Sequence, residues 1–426
     1  MKRSSLLNLC SLLFLGLSLT GCLQDECDAT RTYIRWDPVY LSATTLRAEV
    51  EISEPRQLEN TGKIYYYGDY LLINEYQEGI HFFDNSDPAN PQPLSFLPIP
   101  GNVDMSIRND HLYADSYIDL LTFDIADPTN PRLVNRIEEV FDVFGFTEGK
   151  GYIVEYQETN ITETVSCEDF QGPVFWRNDV LFATAEASFD GATRSNSTPG
   201  SGNVGTGGSL ARFTIAKNHL YTVSEYDLKV FDLSIETKPD FLTTISLGWG
   251  IETIFPYRDA LFIGAQNGMH TVDISTPGRP EYQGSFWHTT ACDPVYVDGD
   301  IAYVTLRDGT ECEGFANQLD VVNIKDLQNP YLLRTFEMHH PIGLSVYKDH
   351  LYLCEDDQGL KVFDASEPLE VGNRLLTQIK GITAVDIITL WEEQIALVIG
   401  PDGLRQYDIS EPDNPVFLSF IAVEND

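Results

Sequence analysis

Short apolar runs rich in Leu, Ile, Val, Tyr and Phe alternate with polar turns along nearly the whole chain, and the alternation repeats. The clearest copy runs Leu351-Tyr352-Leu353-Cys354, the turn Glu355 to Gly359, Leu360-Lys361-Val362-Phe363, then Asp364-Ala365-Ser366-Glu367-Pro368. It reads as strand, tight turn, strand and stop. The carboxylate after the second strand can cap the following turn, and proline fixes φ while withholding a donor, so pairing ends there. The role read for that aspartate is structural.

Two early copies match closely. The first has Leu71-Leu72-Ile73, Ile80-His81-Phe82-Phe83 and Asp84-Asn85-Ser86-Asp87-Pro88-Ala89-Asn90-Pro91; the second has Leu112-Tyr113-Ala114, Leu120-Leu121-Thr122-Phe123 and Asp124-Ile125-Ala126-Asp127-Pro128-Thr129-Asn130-Pro131. The punctuation returns at Asp232, Asp273, Asn323, Asp364 and Asp408, mostly at intervals of 40 to 50 residues. Between Asp124 and Asp232, Phe144-Gly145-Phe146 and Gly151-Tyr152-Ile153-Val154 supply an eighth, degenerate strand pair. No helical period is sustained, so the fold class is all-β. A four-stranded unit of this length predicts a β-propeller of eight blades, or seven if the degenerate unit merges with its neighbour.

The first residues break the pattern. Lys2 and Arg3 precede an apolar run from Leu6 to Leu19, too short to span a bilayer as a mature helix, so residues 1–21 are expected to be a signal peptide. Leu19-Thr20-Gly21-Cys22 resembles a bacterial lipobox, which implies acylation of Cys22 and membrane attachment through lipid. With Leu23 after the cysteine, the resemblance implies the outer membrane. Gln24-Asp25-Glu26 is similar to the export tag of Bacteroidetes surface lipoproteins, which implies display on the cell surface. Residues 22–32 then serve as a tether and 33–426 as the propeller, expected as a monomer.

Charge narrows the partners. The chain carries 27 basic and 65 acidic residues, a formal net charge of −38; removing Lys2 and Arg3 leaves 25 against 65, or −40. Such a field repels polyanions, which excludes nucleic acid. Of seven cysteines, Cys10 leaves with the signal and Cys22 takes lipid, leaving Cys27, Cys167, Cys292, Cys312 and Cys354 in an oxidising compartment. Cys292 and Cys312 flank one predicted hairpin and are the expected disulfide. The stretch from about 159 to 208 is read as an insertion, because its Ser-, Gly- and Asn-rich centre cannot bury enough apolar surface to order itself.

Asp-Ile-Ser-x-Pro punctuation after a strand of the Leu360-Lys361-Val362-Phe363-Asp364 or Leu228-Lys229-Val230-Phe231-Asp232 type resembles the LVIVD-repeat β-propeller lipoproteins. The resemblance covers Gly62 to Pro415, and Asn323 and the unit after Pro131 depart from it. It implies an envelope propeller and supplies no catalytic residues, so function must be argued from the site.

Taking strands a to d from the axis outward, the d-to-a and b-to-c connections share one face. Near the start of strand a, seven units place a charge: Lys63, Asp104, Asp142, Arg212, Glu252, Asp293 and Asp386. These are expected to ring an axial mouth. The b-to-c turns add Glu75 and Tyr76, Asp115 and Tyr117, Glu225 and Tyr226, and Arg307. Convergent carboxylates with aromatics suit a carbohydrate, a peptide amine or a calcium ion. Enzyme signals are poor: there is no phosphate loop, His-Glu-x-x-His or Gly-x-Ser-x-Gly motif, and no metal set is assigned. The expectation is a binding or docking platform for carbohydrate, peptide or an envelope protein. The alternatives are a glycan hydrolase or lyase at the mouth, and a structural part of an outer-membrane complex.

Overall fold

The computed structural model describes residues 28–48, 50, 52–141, 145–166, 204–288, 294–307 and 317–424. Residues 28–39 and 155–166 belong to one compact unit and the other described residues to a second. In the smaller unit Thr32 and Thr162 share a hydroxyl hydrogen bond of 3.2 Å, and Thr159 donates to Asp37, which also pairs with Arg35.

The larger unit is a ring of seven four-stranded meanders. Blade 1 comprises Thr61–Tyr67, Tyr70–Glu75, Gly79–Asp84 and Gln92–Pro98, and blade 2 Met105–Arg108, His111–Ser116, Asp119–Asp124 and Arg132–Ile137. Blade 3 is Phe213–Ala216, His219–Val223, Asp227–Asp232 and Asp240–Ser246; blade 4 is Ile251–Tyr257, Ala260–Ala265, Gly268–Asp273 and Glu281–Trp287. Val295–Asp298, Ile301–Leu306, Gln318–Asn323 and Tyr331–Glu337 make blade 5. Blade 6 is Leu344–Tyr347, His350–Cys354, Leu360–Asp364 and Leu375–Ile379; Asp386–Leu390, Ile395–Gly400, Gly403–Asp408 and Val416–Ala422 make blade 7. Within each, consecutive strands pair antiparallel in the order a-b-c-d.

The repeat punctuation has a local physical cause. In all seven blades the residue closing strand c, from Asp84 to Asp408, accepts the backbone N–H two residues on, at 2.7–3.1 Å. Strand c also carries a register irregularity against strand d in every blade, between equivalent residues such as Phe82/Phe83 and Val362/Phe363. Blades 2, 3 and 6 turn from a to b through two left-handed residues, as at Asn109 and Asp110, which matches strand twist. His111, His219 and His350 follow these turns, each with Nδ1 within 2.9 Å of the carbonyl oxygen two residues back. They are turn anchors.

The core lies between adjacent blades, as where Leu72, Ile80 and Phe82 meet Ile107, Leu112 and Phe123. Each such side chain contributes about 1.5–3 kcal/mol of burial. Tyr113, Tyr221 and Tyr352 on strand b add a hydroxyl donated to a c–d loop carbonyl of the next blade. The ring closes where Leu58 pairs in parallel with Val423, Thr61 donates to the Gly400 carbonyl, and Asn85 and Gln406 exchange buried amide hydrogen bonds.

Eight sheets form among the described residues, but the degenerate unit is not a blade. Phe146–Thr147 pairs with Gly151–Ser166 in a three-stranded sheet with Asp28–Leu41, while strand a of blade 3 packs directly beside strand a of blade 2. The ring therefore has the seven blades of the alternative count. Two expected boundaries also move. Strand Asp28–Leu41 starts inside the stretch read as tether, and the insertion read at 159–208 begins as strand and ends in ordered chain from residue 204. Its centre, the signal segment with Cys22, and Cys27, Cys167, Cys292 and Cys312 lie outside the described residues; Cys354 is a buried free thiol.

Candidate functional site

The axis of the ring is filled by the chain itself. Residues 204–212, which lead into blade 3, run through the centre and touch the inner strands of other blades. Val204 bridges Arg108, the Gly205 N–H donates to the Ile107 carbonyl, and Thr206 and Gly207 pair with Tyr66 and Tyr65 as an extra strand inside blade 1. Glycine is required there: a Cβ at Gly205 would stand 2.2 Å from the Tyr65 ring, whose hydroxyl donates to the Gly205 carbonyl. Leu210 is buried against Ile342 and Val385, and the Ala211 carbonyl accepts the Ile254 N–H.

Three of the charges expected at the mouth hold this plug, and a fourth, Arg212, is its last residue. Lys63 Nζ donates to the Leu210 carbonyl at 2.6 Å, and Asp386 accepts the Ser209 hydroxyl at 3.1 Å. Asp104 accepts the N–H groups of Arg212 and Phe213 on one oxygen and that of Met105 on the other. Arg212 Nε reaches the Glu252 carbonyl at 3.4 Å. Burial pushes the Asp104 carboxyl up, against the pull of Lys63 and these amides. So these side chains do converge, and what they hold is a strand of the same molecule. Asp142 and Asp293 lie outside the described residues.

The turn residues divide differently. Asp115 accepts from Asn102 Nδ2, Val103 N and Asp104 N within 3.0 Å, fixing the connection into blade 2; burial, reinforced by neighbouring Asp104, raises its carboxyl to about 7. Tyr117 sits at φ +53° over Gly101, where a Cβ would come within 2.4 Å of its ring. Glu75 turns outward, away from the axis. Its carboxylate is shared by His81 on strand c, Arg56 and the amides of Glu59 and Asn60. Burial works against its ionisation, but the His81 and Arg56 hydrogen bonds prevail and hold it down at about 2. Tyr76 accepts from Gln77, and Arg307 is buried at the end of its strand. In blades 6 and 7, Lys361–Glu355 and Arg405–Asp402 repeat the strand-c cation with a turn acid, so these pairs lock each turn onto its blade.

Among the described candidate residues, Tyr226 alone is exposed, and its neighbour Glu225 is half-buried. Tyr226 is 43% exposed, and Glu225 accepts the indole N–H of Trp249 at 2.9 Å. Trp249, 39% exposed, and Trp287, 61% exposed, lie at the d–a connections of the same face, outside the acid–aromatic pairs of the b–c turns by which the sequence marks it. Among the described residues no group of His, Cys, Asp and Glu is arranged to hold a metal ion.

No curated protein matches the sequence. Among solved structures, a protein from Lactobacillus plantarum aligns at 11% identity and TM-score 0.54, covering 85% of this chain and 96% of its own. A functionally unknown protein from Desulfotomaculum acetoxidans DSM 771 aligns at 12% identity and TM-score 0.51, with the same coverage. At such identity the likeness is one of fold. The LVIVD repeat matches residues 259–287, from the a–b turn to the end of strand d of blade 4. The larger unit is a propeller of repeated β-meanders, and residues 259–287 of its fourth blade match the LVIVD repeat.

Proposed function

We propose that this propeller is a recognition platform of the bacterial outer membrane, held there by lipid on Cys22 and binding carbohydrate, peptide or an envelope protein through the face that carries the d–a and b–c connections. The observation that carries the reading is the division of labour on that face. Asp104, Asp386 and Lys63 are engaged by the axial plug, whereas exposed aromatic rings with polar neighbours stand on the rim of blades 3 and 4. A binding role is favoured over hydrolysis because Asp104, Asp115 and Glu75 are each tied to several donors, and an acid so engaged is poorly placed to exchange a proton with substrate.

Attachment is tested by Cys22→Ser: the variant is expected in the soluble fraction and without acyl label, while the parent sediments with outer membrane and is shaved by protease on intact cells. A variant that still sediments and labels ends the lipid-anchor reading. Binding is tested by thermal shift of the detergent-solubilised mature chain against calcium, amino acids and oligosaccharides. No shift with any of them, and no envelope protein retained on intact cells, would remove the platform.

A further inference from the structure

We infer that the rim formed by blade 4 and the adjoining turn of blade 3 binds an uncharged oligosaccharide, stacked on Trp249 and Trp287. This rests on the reading that the face is a binding surface and names what it takes.

Trp249 is displayed by its backbone. It stands between Gly248 and Gly250 at φ +106° and +84°, left-handed positions on both sides that swing the indole out of the connection between blades 3 and 4. Glu225 then fixes the ring by its N–H, and the residue remains exposed. Trp287, at the end of strand d, is held edge-on against His270, with ring centroids 5.9 Å apart at 89°, and His270 is held in turn by Ser285. Exposed indoles fixed in this way lose little freedom when a ligand covers them.

Between the two indoles runs the b–c turn of blade 4. The Gln266 N–H donates to the Gly250 carbonyl and the His288 N–H to the Asn267 carbonyl, so the turn is tied to both ends of the strip. Its side chains Gln266 and Asn267 are polar, and among the described residues their covered oxygens Oε1 and Oδ1 have no hydrogen-bond partner. Two exposed, fixed aromatic platforms on one rim, with a polar turn between them, match a short saccharide chain: its C–H faces stack on the indoles and its hydroxyls meet the polar turn.

Charge and shape select this class. With a net charge of −38 the chain disfavours acidic glycans. A peptide would need a free sheet edge or a pocket, and this strip lies at strand ends, where all four strands of blade 4 are already paired.

The test uses the detergent-solubilised mature chain, titrated by tryptophan fluorescence and calorimetry with neutral gluco-, manno-, xylo- and chito-oligosaccharides, with an acidic oligosaccharide and oligolysine as the other arms. At least one neutral series is expected to bind, with affinity rising with chain length. Trp249→Ala and Trp287→Ala are each expected to weaken binding about tenfold while leaving the melting temperature unchanged, and Trp391→Phe on the opposite face to leave binding unchanged. Failure of every neutral saccharide, or binding indifferent to both rim variants, overturns the inference. Oligolysine binding that is lost with the same variants also overturns it but keeps the face as a binding surface; absence of all binding at this face overturns both readings.

Discussion

Replacing Asp104 by Ala removes a carboxylate that ties the axial plug to the ring at the point where blade 3 begins. Two N–H groups, of Arg212 and Phe213, lose their shared oxygen, and Met105 loses the other. Asp104 is 2% exposed, so water replaces the carboxylate poorly. Hydrogen bonds to a charged group contribute about 1.5–3 kcal/mol each, and a stranded buried donor costs about 1–3 kcal/mol. Against this stands the burial that raises the Asp104 carboxyl, a desolvation cost the variant no longer bears. The balance is a loss of about 2–4 kcal/mol. It should be local first, because Lys63, Ser209 and the pairing of Thr206 and Gly207 still anchor the rest of the plug to the ring. Hydrogen exchange by mass spectrometry is the assay. Peptides covering 204–213 should lose protection by ten- to a thousandfold, as 1.4 kcal/mol corresponds to a factor of ten, while strand c of blade 5, Gln318–Asn323, keeps its protection. Unchanged exchange at 204–213, or an equal loss in both places, would refute the idea that Asp104 is the plug's clasp.

Glu75→Gln should cost stability in a pH-dependent way. The folded carboxyl lies at about 2 against an ordinary 4.5, so its contribution of roughly 3 kcal/mol is fully present above pH 4.5 and fades as pH falls toward 2. Urea unfolding of both proteins at pH 6, 4 and 3 should show the gap narrowing; a constant gap contradicts the His81–Glu75–Arg56 network as its source. Asp115→Asn should act in the opposite sense. Its folded carboxyl sits near 7 against an ordinary 3.8, so the ionised form strains the fold, and stability is lost as pH rises from about 4 through 7. Asparagine keeps an acceptor for the Asn102, Val103 and Asp104 donors, so the variant should be the more stable protein at pH 8 and equal to the parent near pH 4, read from urea midpoints; a less stable variant at pH 8 sinks the assignment.

The repeat itself was legible because its chemistry is local. An aspartate that caps the amide two residues on writes itself into the sequence wherever the turn occurs, and so does a glycine opening strand c. At Gly79, Gly268, Gly359 and Gly403 a Cβ would meet a strand-d carbonyl oxygen at 2.1–2.2 Å. The convergence of Lys63, Asp104, Arg212 and Asp386 was legible for a related reason, since equal offsets in successive blades point to one axis. What they converge on was not. Val204 to Arg212 is short, small and polar, with no period of its own, and its place is set by contacts with residues up to 177 positions away, as from Ser209 to Asp386. Spacing likewise gave Glu75 and Glu225 one role. Yet His81 and Arg56 draw the first outward, and Trp249 claims the second for the rim. The strands, their punctuation and the closed ring thus follow from each residue and its near neighbours, and are written along the chain. Only the tertiary structure decided that the ring has seven blades, that its axis is plugged and that the free aromatic surface lies at the rim, because each of these is settled by packing between segments far apart along the chain.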